Sequence, residues 1–445
     1  MSFRNVLAEN VVLPISDLLT GQHVSKYFRF LKKSESWTRQ QIDDFQNERL
    51  RMLIKHAVTT VPYYRDLFHK LGLTADDIQT KADLCKIPVV DKNIMRREGI
   101  ERFTSEGFPQ KEMRFDRSSG STGEPFNSYT TRDAYSFNLA AKLRTWYKNG
   151  YRLGDKYVKL SQRLRKSKLK KLQDKVNRCL YIPVEDASDD RQFNALRMIE
   201  SYKPDVIRGY PSTILFLAQC RQKHPEFTHC PKWIATTGEQ LTVKMRSFIE
   251  SVFCCKILDS YSCEGNSNVA ECVGNDCYHV TEEYGVTEVL DDNGKPVVDG
   301  IGHVVTTDLW NFAHPFIRYD TQDLVEVSSK ECRCGSHHMR IDSIIGRSSE
   351  NIIAVNGCRF TTQTLSIFFT DSNSPLGNSV DGYQLVQKKD GSVLFKLVAN
   401  DLFDDSQKQY IVDYWGQRFG KPVSVELVDK LPLTKNNKWL SIVFE

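Results

Sequence analysis

The chain has 445 residues, 40% apolar and 26% charged. That is ordinary globular composition, with enough length for a large domain and at least one smaller one. A formal net charge of +5 is too small to argue for nucleic acid. No run of about 18 apolar residues occurs, so no membrane-crossing helix is expected. The opening Met1-Ser2-Phe3-Arg4-Asn5-Val6 does not read as a signal peptide, and a cytoplasmic protein is expected. Twelve cysteines at this length are not a disulfide scaffold; in a reducing compartment they read as buried thiols or metal ligands.

Residues 34–59 carry Trp37, Ile42, Phe45, Leu53 and Ala57 near helical spacing, with Ser36 placed to cap and Pro62 to end the helix. Pro88 and Asp91-Lys92-Asn93 turn the chain into a second helix with Met95. Next, Ser118-Ser119-Gly120-Ser121-Thr122-Gly123-Glu124-Pro125 concentrates N–H donors and hydroxyls in one loop. Such a loop suits the oxygens of a polyphosphate. No Gly-Lys-Ser/Thr follows, so it is not a Walker loop, and its composition fits a plain Ser/Gly linker equally well.

A helix over 133–148 shows Tyr135, Leu139, Leu143 and Trp146 on one side, and 157–160 is a strand. The basic run Arg163 to Lys171 reads first as a solvated helix face and second as a dock for anionic lipid or saccharide. From 189 to 260 helices and strands alternate, the signature of a layered α/β domain with parallel strands. Ligands in such sheets bind beyond the C-terminal strand ends. The polar loops Thr237-Gly238-Glu239 and Tyr261-Ser262-Cys263-Glu264-Gly265 fall there.

Cys272-x4-Cys277-x-His279 and, later, Cys332-x-Cys334-Gly335 have the form of a closed tetrahedral zinc site, or are unrelated buried thiols. His303–Thr307 is a strand. Beyond about 350 the pattern becomes α+β: strands over 384–388 and 392–399 joined at Asp390-Gly391, a helix over 404–418 ending at Gly420, and a strand over 423–428.

The loop at 118–125 resembles the phosphate loop of the adenylate-forming superfamily, with Phe126 where a Lys is usual. The branch it is most similar to holds phenylacetate–coenzyme A ligase-like and CapK-like capsular polysaccharide biosynthesis proteins. Tyr63-Tyr64-Arg65 and Ile87-Pro88-Val89-Val90-Asp91-Lys92 match further stretches of that branch. The resemblance implies a large N-terminal layered α/β domain and a small mobile C-terminal α+β lid. Its divisions would be a helical part (1–115), an ATP- and acyl-binding core with zinc-binding loops (116–346) and the lid (350–445).

The site residues it implies are as follows in chain order. Ser118, Ser119, Gly120, Ser121, Thr122 and Gly123 cradle phosphate, and Gly238-Glu239 sets backbone against adenine. Tyr261 opens the element whose Glu264 holds magnesium, although that element is one residue short here. Asp323, last of Arg318-Tyr319-Asp320-Thr321-Gln322-Asp323, accepts from the ribose hydroxyls. Arg347 contacts ribose or phosphate, with Glu350 replacing the usual hinge Asp. Lys438, after Asn437 in place of Gly, is the catalytic lysine. Cys272, His279, Cys332 and Cys334 hold zinc, Cys277 standing in if His279 points away.

The implied activity is ATP-dependent formation of an acyl-adenylate, then transfer to coenzyme A or an amine, in surface polysaccharide assembly. Tyr210, Trp233 and Tyr261 are the expected walls of the acid pocket. Other classes remain: a nucleotide-binding assembly protein without turnover, a zinc-stabilised module docking peripherally on membrane, and, weakest, a thiol hydrolase using Cys263. The acid, the acceptor and the oligomeric state are not legible in the sequence.

Overall fold

The computed structural model describes residues 2–445 apart from 118–126, 162–164, 166, 185–188, 264–267, 273–276, 348–351, 356–358, 361–364, 366–367, 370–374, 377–378 and 433–439; the side chains of 117, 169, 189, 268, 347, 353 and 359 are also left aside.

The long first helix begins later than its apolar spacing suggests. Val24–Ser34 is a helix of its own, and Arg39–Thr60 follows. Thr38 and Gln41 form a capping box, the Gln41 side chain accepting from the Thr38 N–H at 2.9 Å. Ser36 is not the cap: its hydroxyl donates to the Lys33 carbonyl at 3.2 Å. Trp37 closes the corner edge-on against Phe30, with ring centroids 5.4 Å apart.

A hairpin, β1 (Met113–Arg117) and β2 (Asn127–Thr131), flanks the Ser/Gly loop. The main sheet then forms from β3 (Tyr157–Ser161), β4 (Cys179–Pro183), β5 (Val206–Gly209), β6 (Trp233–Thr237), β7 (Lys256–Ser262), β8 (Asn268–Glu271), β9 (Tyr278–Val280), β10 (Gly285–Leu290), β11 (Gly300–Asp308), β12 (Tyr319–Val327) and β13 (Arg340–Arg347). Among the described residues its order is β10-β11-β12-β13-β9-β8-β7-β6-β5-β3-β4. The run from β4 to β7 is parallel, and the rest is antiparallel.

Alternation along the strands separates two cores. Val158, Leu160, Ile207, Ile234 and Ile257 face the helices Asp189–Tyr202, Pro211–Lys223 and Val243–Phe253. Tyr157, Val206, Trp233, Ala235 and Leu258 face the helix Arg132–Lys148 through Leu143 and Trp146. Both faces of the parallel half are therefore covered, and the loops after β5, β6 and β7 are left to form a site.

The N-terminal helices pack on the antiparallel half, burying Leu50, Leu53, Ala57, Tyr64 and Phe103 against Val286, Phe316, Ile317 and Tyr319. Two stretches singled out in the sequence do positioning here. The Tyr64 hydroxyl donates to the Pro315 carbonyl and accepts from the Ile317 N–H, both at 3.1 Å. Val90 bridges β12: its N–H donates to the Arg318 carbonyl and its own carbonyl accepts from the Asp320 N–H, both at 2.9 Å. The Arg318 guanidinium donates to the Ile87 carbonyl at 2.6 Å.

The C-terminal unit has a two-stranded piece, β14 (Ile352–Ile353) and β15 (Arg359–Phe360). Its sheet comprises β16 (Val380–Gln387), β17 (Val393–Ala399), β18 (Val423–Leu427) and β19 (Ile442–Phe444), ordered β18-β17-β16-β19. The helix Asp405–Phe419 buries Ile411, Trp415 and Phe419 against Leu385, Phe395 and Leu397. The structure is thus the expected mixed α/β domain with a separate small C-terminal domain. Among the described residues no helix is long and apolar enough to cross a membrane.

Arg144 donates at 2.7 Å to Glu283, which is fully buried and also accepts from the Ser34 hydroxyl. Burial opposes the Glu283 charge, yet Arg144, His338 and Ser34 hold its carboxyl below the usual range. Arg144→Met leaves that carboxylate buried without its cation and should cost about 3–5 kcal/mol of unfolding free energy in urea titration. Adding Glu283→Leu should recover most of the loss, whereas a loss unchanged in the double variant would show that the pair is not the cause.

Candidate active site and metal centre

The loops beyond β5, β6 and β7 meet the ends of β12 and β13. Gly238 turns with φ of 79°, in the left-handed region, and lies against the Tyr210 ring. A Cβ there would stand 2.9 Å from a ring carbon, so the close approach also needs glycine. The Glu239 carboxylate accepts from the Ser212 N–H at 3.0 Å, in the first turn of the helix Pro211–Lys223. A carboxylate there satisfies a donor that the helix cannot, and it meets the positive end of the helix dipole. The Glu239 side chain is thereby anchored. Gln240 reaches across to the Ile345 carbonyl on β13 at 3.4 Å.

Tyr261, next to the end of β7, donates its hydroxyl to the Asp323 carboxylate of β12. Burial and the Asp323 charge push the Tyr261 phenol well above its ordinary value, so it remains a donor. Asp323 is the register partner of Arg347 on β13. The Asp323 N–H is held by the Thr321 hydroxyl at 3.2 Å, and Gln322 just before it adopts a φ of 63°. The structure therefore brings Gly238, Glu239, Tyr261, Asp323 and the Arg347 backbone to one end of the sheet. Ser118, Ser119, Gly120, Ser121, Thr122, Gly123, Glu264 and Lys438 lie outside the described residues. Trp233, expected as a pocket wall, stands instead at the opposite end of β6, edge-on to Trp146 at 5.3 Å. Tyr210 and Tyr261 are the aromatic residues of that group at the strand ends.

The cysteine motifs meet at the joint between β9 and β13, where two register pairs, Arg340 with His279 and Ile341 with Tyr278, and the Val280 N–H bond to the Met339 carbonyl at 3.0 Å hold the strands together. Cys272, Cys277, His279 and Cys332 have ligand atoms all within 4.8 Å of one another. Cys277 and Cys332 sulfurs are 3.5 Å apart, Cys332 and Cys272 3.9 Å, and Cys334 Sγ lies 3.3 Å from His279 Nε2. Four ligands around a zinc with bonds of about 2.3 Å stand roughly 3.7 Å apart, so these spacings fit a tetrahedral ion. His279 Nδ1 faces the His338 carbonyl at 3.3 Å, which leaves Nε2 for a metal.

His279 thus points inward, and Cys277 joins the group as well: five donors converge where the sequence pattern selected four. Cys277 is buried and Cys334 exposed. Burial and neighbouring thiols push Cys272 and Cys277 up to about 12. The basic run is represented by the helix Lys168–Val176, whose Lys168, Lys170 and Lys171 are exposed; Arg165 pairs with Asp174 at 2.7 and 2.8 Å.

Sequence reasoning passed over three cations on the sheet face beneath this site: Lys142, Lys159 and Arg208. The available signal was a charged residue at an inward position of each of two parallel strands, β3 and β5.

Residues 360–445 match the CapK C-terminal domain model. The phenylacetate–coenzyme A ligase of Pseudomonas putida is 31% identical over 331 residues, spanning 72% of this chain and 73% of that enzyme. The phenylacetate–coenzyme A ligase of Thermus thermophilus is 26% identical over 385 residues, 81% of each chain. In fold, the chain is similar to 2-hydroxyisobutyryl-CoA ligase in its postadenylation state, with a TM-score of 0.75 at 17% identity over 93% of this chain and 92% of that one. With the Pseudomonas putida enzyme 31% identical over 72% of this chain, the protein belongs to the phenylacetate–coenzyme A ligase family of adenylate-forming enzymes.

Proposed function

We propose that the chain activates a carboxylic acid with ATP as acyl-adenylate and then passes the acyl group to coenzyme A. The observation that carries this reading is the meeting of Tyr261, Asp323 and Arg347 beside the Gly238 turn, at the C-terminal ends of the parallel strands. The relatives support it. Two are phenylacetate–coenzyme A ligases, and the 2-hydroxyisobutyryl-CoA ligase structure holds an acyl-AMP. They also favour a thiol over an amine as acceptor.

In this reading the acid's oxygen attacks the α-phosphorus, and pyrophosphate leaves with the electron pair of the broken P–O bond. The protein forms no bond of its own; it positions the reactants and stabilises charge. Asp323, oriented by Tyr261, takes the ribose hydroxyls, and the backbone at Gly238-Glu239 borders adenine. Arg347 meets ribose or phosphate, and Ser118 to Gly123 cradle the phosphates. Lys438 neutralises charge on the α-phosphate, and Glu264 would hold a magnesium ion, which would supply further positive charge to the phosphates. The thiol then attacks the acyl carbon and AMP departs. The CapK match of the C-terminal domain supports a place in surface polysaccharide assembly.

The metal reading is separate. Cys272, His279, Cys332 and Cys334, with Cys277 as the alternative fourth ligand, would hold a zinc that clips β9 to β13. With four protein ligands and no open position the ion would be structural.

Pyrophosphate exchange into ATP, driven by a panel of carboxylic acids without acceptor, tests the first step. Exchange with one class of acid is expected; ATP binding without exchange for any acid would refute turnover. Lys438→Ala should lower exchange by roughly 10²- to 10³-fold while ATP still binds by calorimetry. Asp323→Ala should raise the KM for ATP roughly 10- to 100-fold, the effect of losing hydrogen bonds to a charged acceptor.

For the metal, elemental analysis should find about one zinc per chain. Cys332→Ser should lose the zinc and melt earlier. A metal-free wild type, purified without chelator, that melts together with Cys332→Ser would end the zinc reading.

A further inference from the structure

The sheet face covered by the helix Arg132–Lys148 is not wholly apolar. Lys159 of β3 and Arg208 of β5 are register partners on adjacent parallel strands, so both side chains leave the sheet on one side. It is the side of Tyr157, Val206, Trp233, Ala235 and Leu258, onto which the helix lays Leu143 and Trp146. Lys142 stands one helical turn before Trp146, and the Arg208 guanidinium lies 5.9 Å from the Trp146 ring.

Among the described residues, none of the three cations forms an ion pair. The acids of the neighbourhood are engaged elsewhere: Asp174 by Arg165 at 2.7 Å, Asp205 by Lys232 at 3.0 Å, Glu283 by Arg144 at 2.7 Å. Like charges opposite each other on neighbouring strands destabilise a sheet. Half-buried cations without a counter-charge add a desolvation cost. The strain shows in their titration. Burial, Arg208, Lys159 and Arg114 push Lys142 down to about 7, and burial, Arg208 and Arg165 push Lys159 down to about 8. Burial lowers Arg208 as well. An arrangement this unfavourable when empty fits one that is completed by an anion.

Its position says which anion. Arg208 is followed by Gly209 and Tyr210, and the Tyr210 ring touches the Gly238 turn. Two strand residues at about 3.3 Å each set the cations roughly 6–7 Å below the loops that take the nucleotide. In register beside Arg208 on β6 stands Ala235, which contributes only a methyl group to this face. A small acid whose reacting carboxylate sits at the strand ends would place its far end among the cations.

We infer that Lys142, Lys159 and Arg208 form the floor of the acyl pocket and bind a second anionic group of the acid, making the substrate a carboxylic acid that carries a further carboxylate or phosphate. The inference rests on the adenylation reading, and it replaces the singly charged aryl acid of the phenylacetate–coenzyme A ligases with a doubly charged one.

The test compares kcat/KM for acid-dependent pyrophosphate exchange between diacids from malonate to adipate, phosphoglycolate, phosphoglycerate, length-matched monocarboxylic acids and phenylacetate. Wild type should favour a doubly charged acid by about 100-fold or more, since unpaired polar groups in a pocket reject the ligand that lacks their partner. The diacid and phosphate arms identify the group. Arg208→Met and Lys142→Met should each collapse that ratio at least about tenfold, through the KM of the acid with the KM of ATP steady, and Arg208→Lys should restore part of it. Both Met variants should melt higher than wild type without ligand, because an uncompensated charge has been removed.

A wild-type preference for monocarboxylic acids would overturn the inference, as would losses falling equally on all acids or on the KM of ATP. Should no acid drive exchange, the adenylation reading fails by itself. The pocket is then read by melting and calorimetry with the same diacids and phosphoacids at millimolar concentration. A melting rise and binding heat that Arg208→Met abolishes would uphold the anion site, and silence with every acid would sink it.

Discussion

The hydrogen bond from Tyr261 to Asp323 ties the parallel half of the sheet directly to the antiparallel half, beside the ladder through β8 and β9. Tyr261 ends the parallel half and Asp323 lies in the antiparallel half, with β8, β9 and β13 between them in the strand order. Two of the three strands between are short, β8 with 4 residues and β9 with 3, and β13 with 8 runs past β9 toward β7. Strand twist accumulates over such a sheet, and short intermediaries let the ends on one side converge. The same economy weakens the joint, since β9 meets β13 through two register pairs. The five-donor cysteine and histidine cluster sits at that joint. A metal there and the tyrosine–aspartate bond would hold the thin region from two places, and each would matter more because the ladder between them is so slight.

The N-terminal third, which offered no chemistry in the sequence, governs the site at one remove. Tyr64 fixes the backbone on both sides of Phe316, and Val90 pairs with β12 immediately ahead of Thr321-Gln322-Asp323. Arg318 holds a left-handed φ of 49° while its guanidinium is tied to Glu288 at 2.8 and 3.0 Å and to the Ile87 carbonyl. A non-glycine residue keeps that conformation only where its surroundings over-determine it. The helical layer is therefore what fixes the backbone that leads into Asp323, and Tyr64, Ile87 and Val90 are the residues through which it does so.

Local pattern carried much of this. The alternation of helix and strand from 189 to 260 made the parallel half legible, because strands covered on both faces read as apolar runs. That Asp323 and the Gly238 turn come to one end of the sheet was legible through the motifs that hold them, the turn because its positive φ calls for glycine. The false start of the first long helix had a local cause: Ser36 and Thr38 are both capping types, and only the reciprocal bond with Gln41 decides between them. Trp233 failed as a wall for a different reason. A residue at the start of a strand and one at its end look alike in sequence, and strand direction within the sheet separates them.

The cation pair escaped for the same reason in a stronger form. Lys159 and Arg208 are 49 positions apart in sequence, and each alone resembles a solvated charge. Only the pairing of β3 with β5, side by side although β4 intervenes in the chain, makes them neighbours. A crossover is a global property of a fold, and a local period cannot report it. The residues so assembled run against what a sheet interior prefers, while those around them, Tyr157, Val206, Ala235 and Leu258, follow it. Where a fold is locally consistent except at one place, the exception is where stability has given way to recognition. Here the exception lies on the face of the strands that end at the loops of Gly238 and Tyr261, so in the proposed reading the selectivity of the pocket and the local cost in this core share one physical origin.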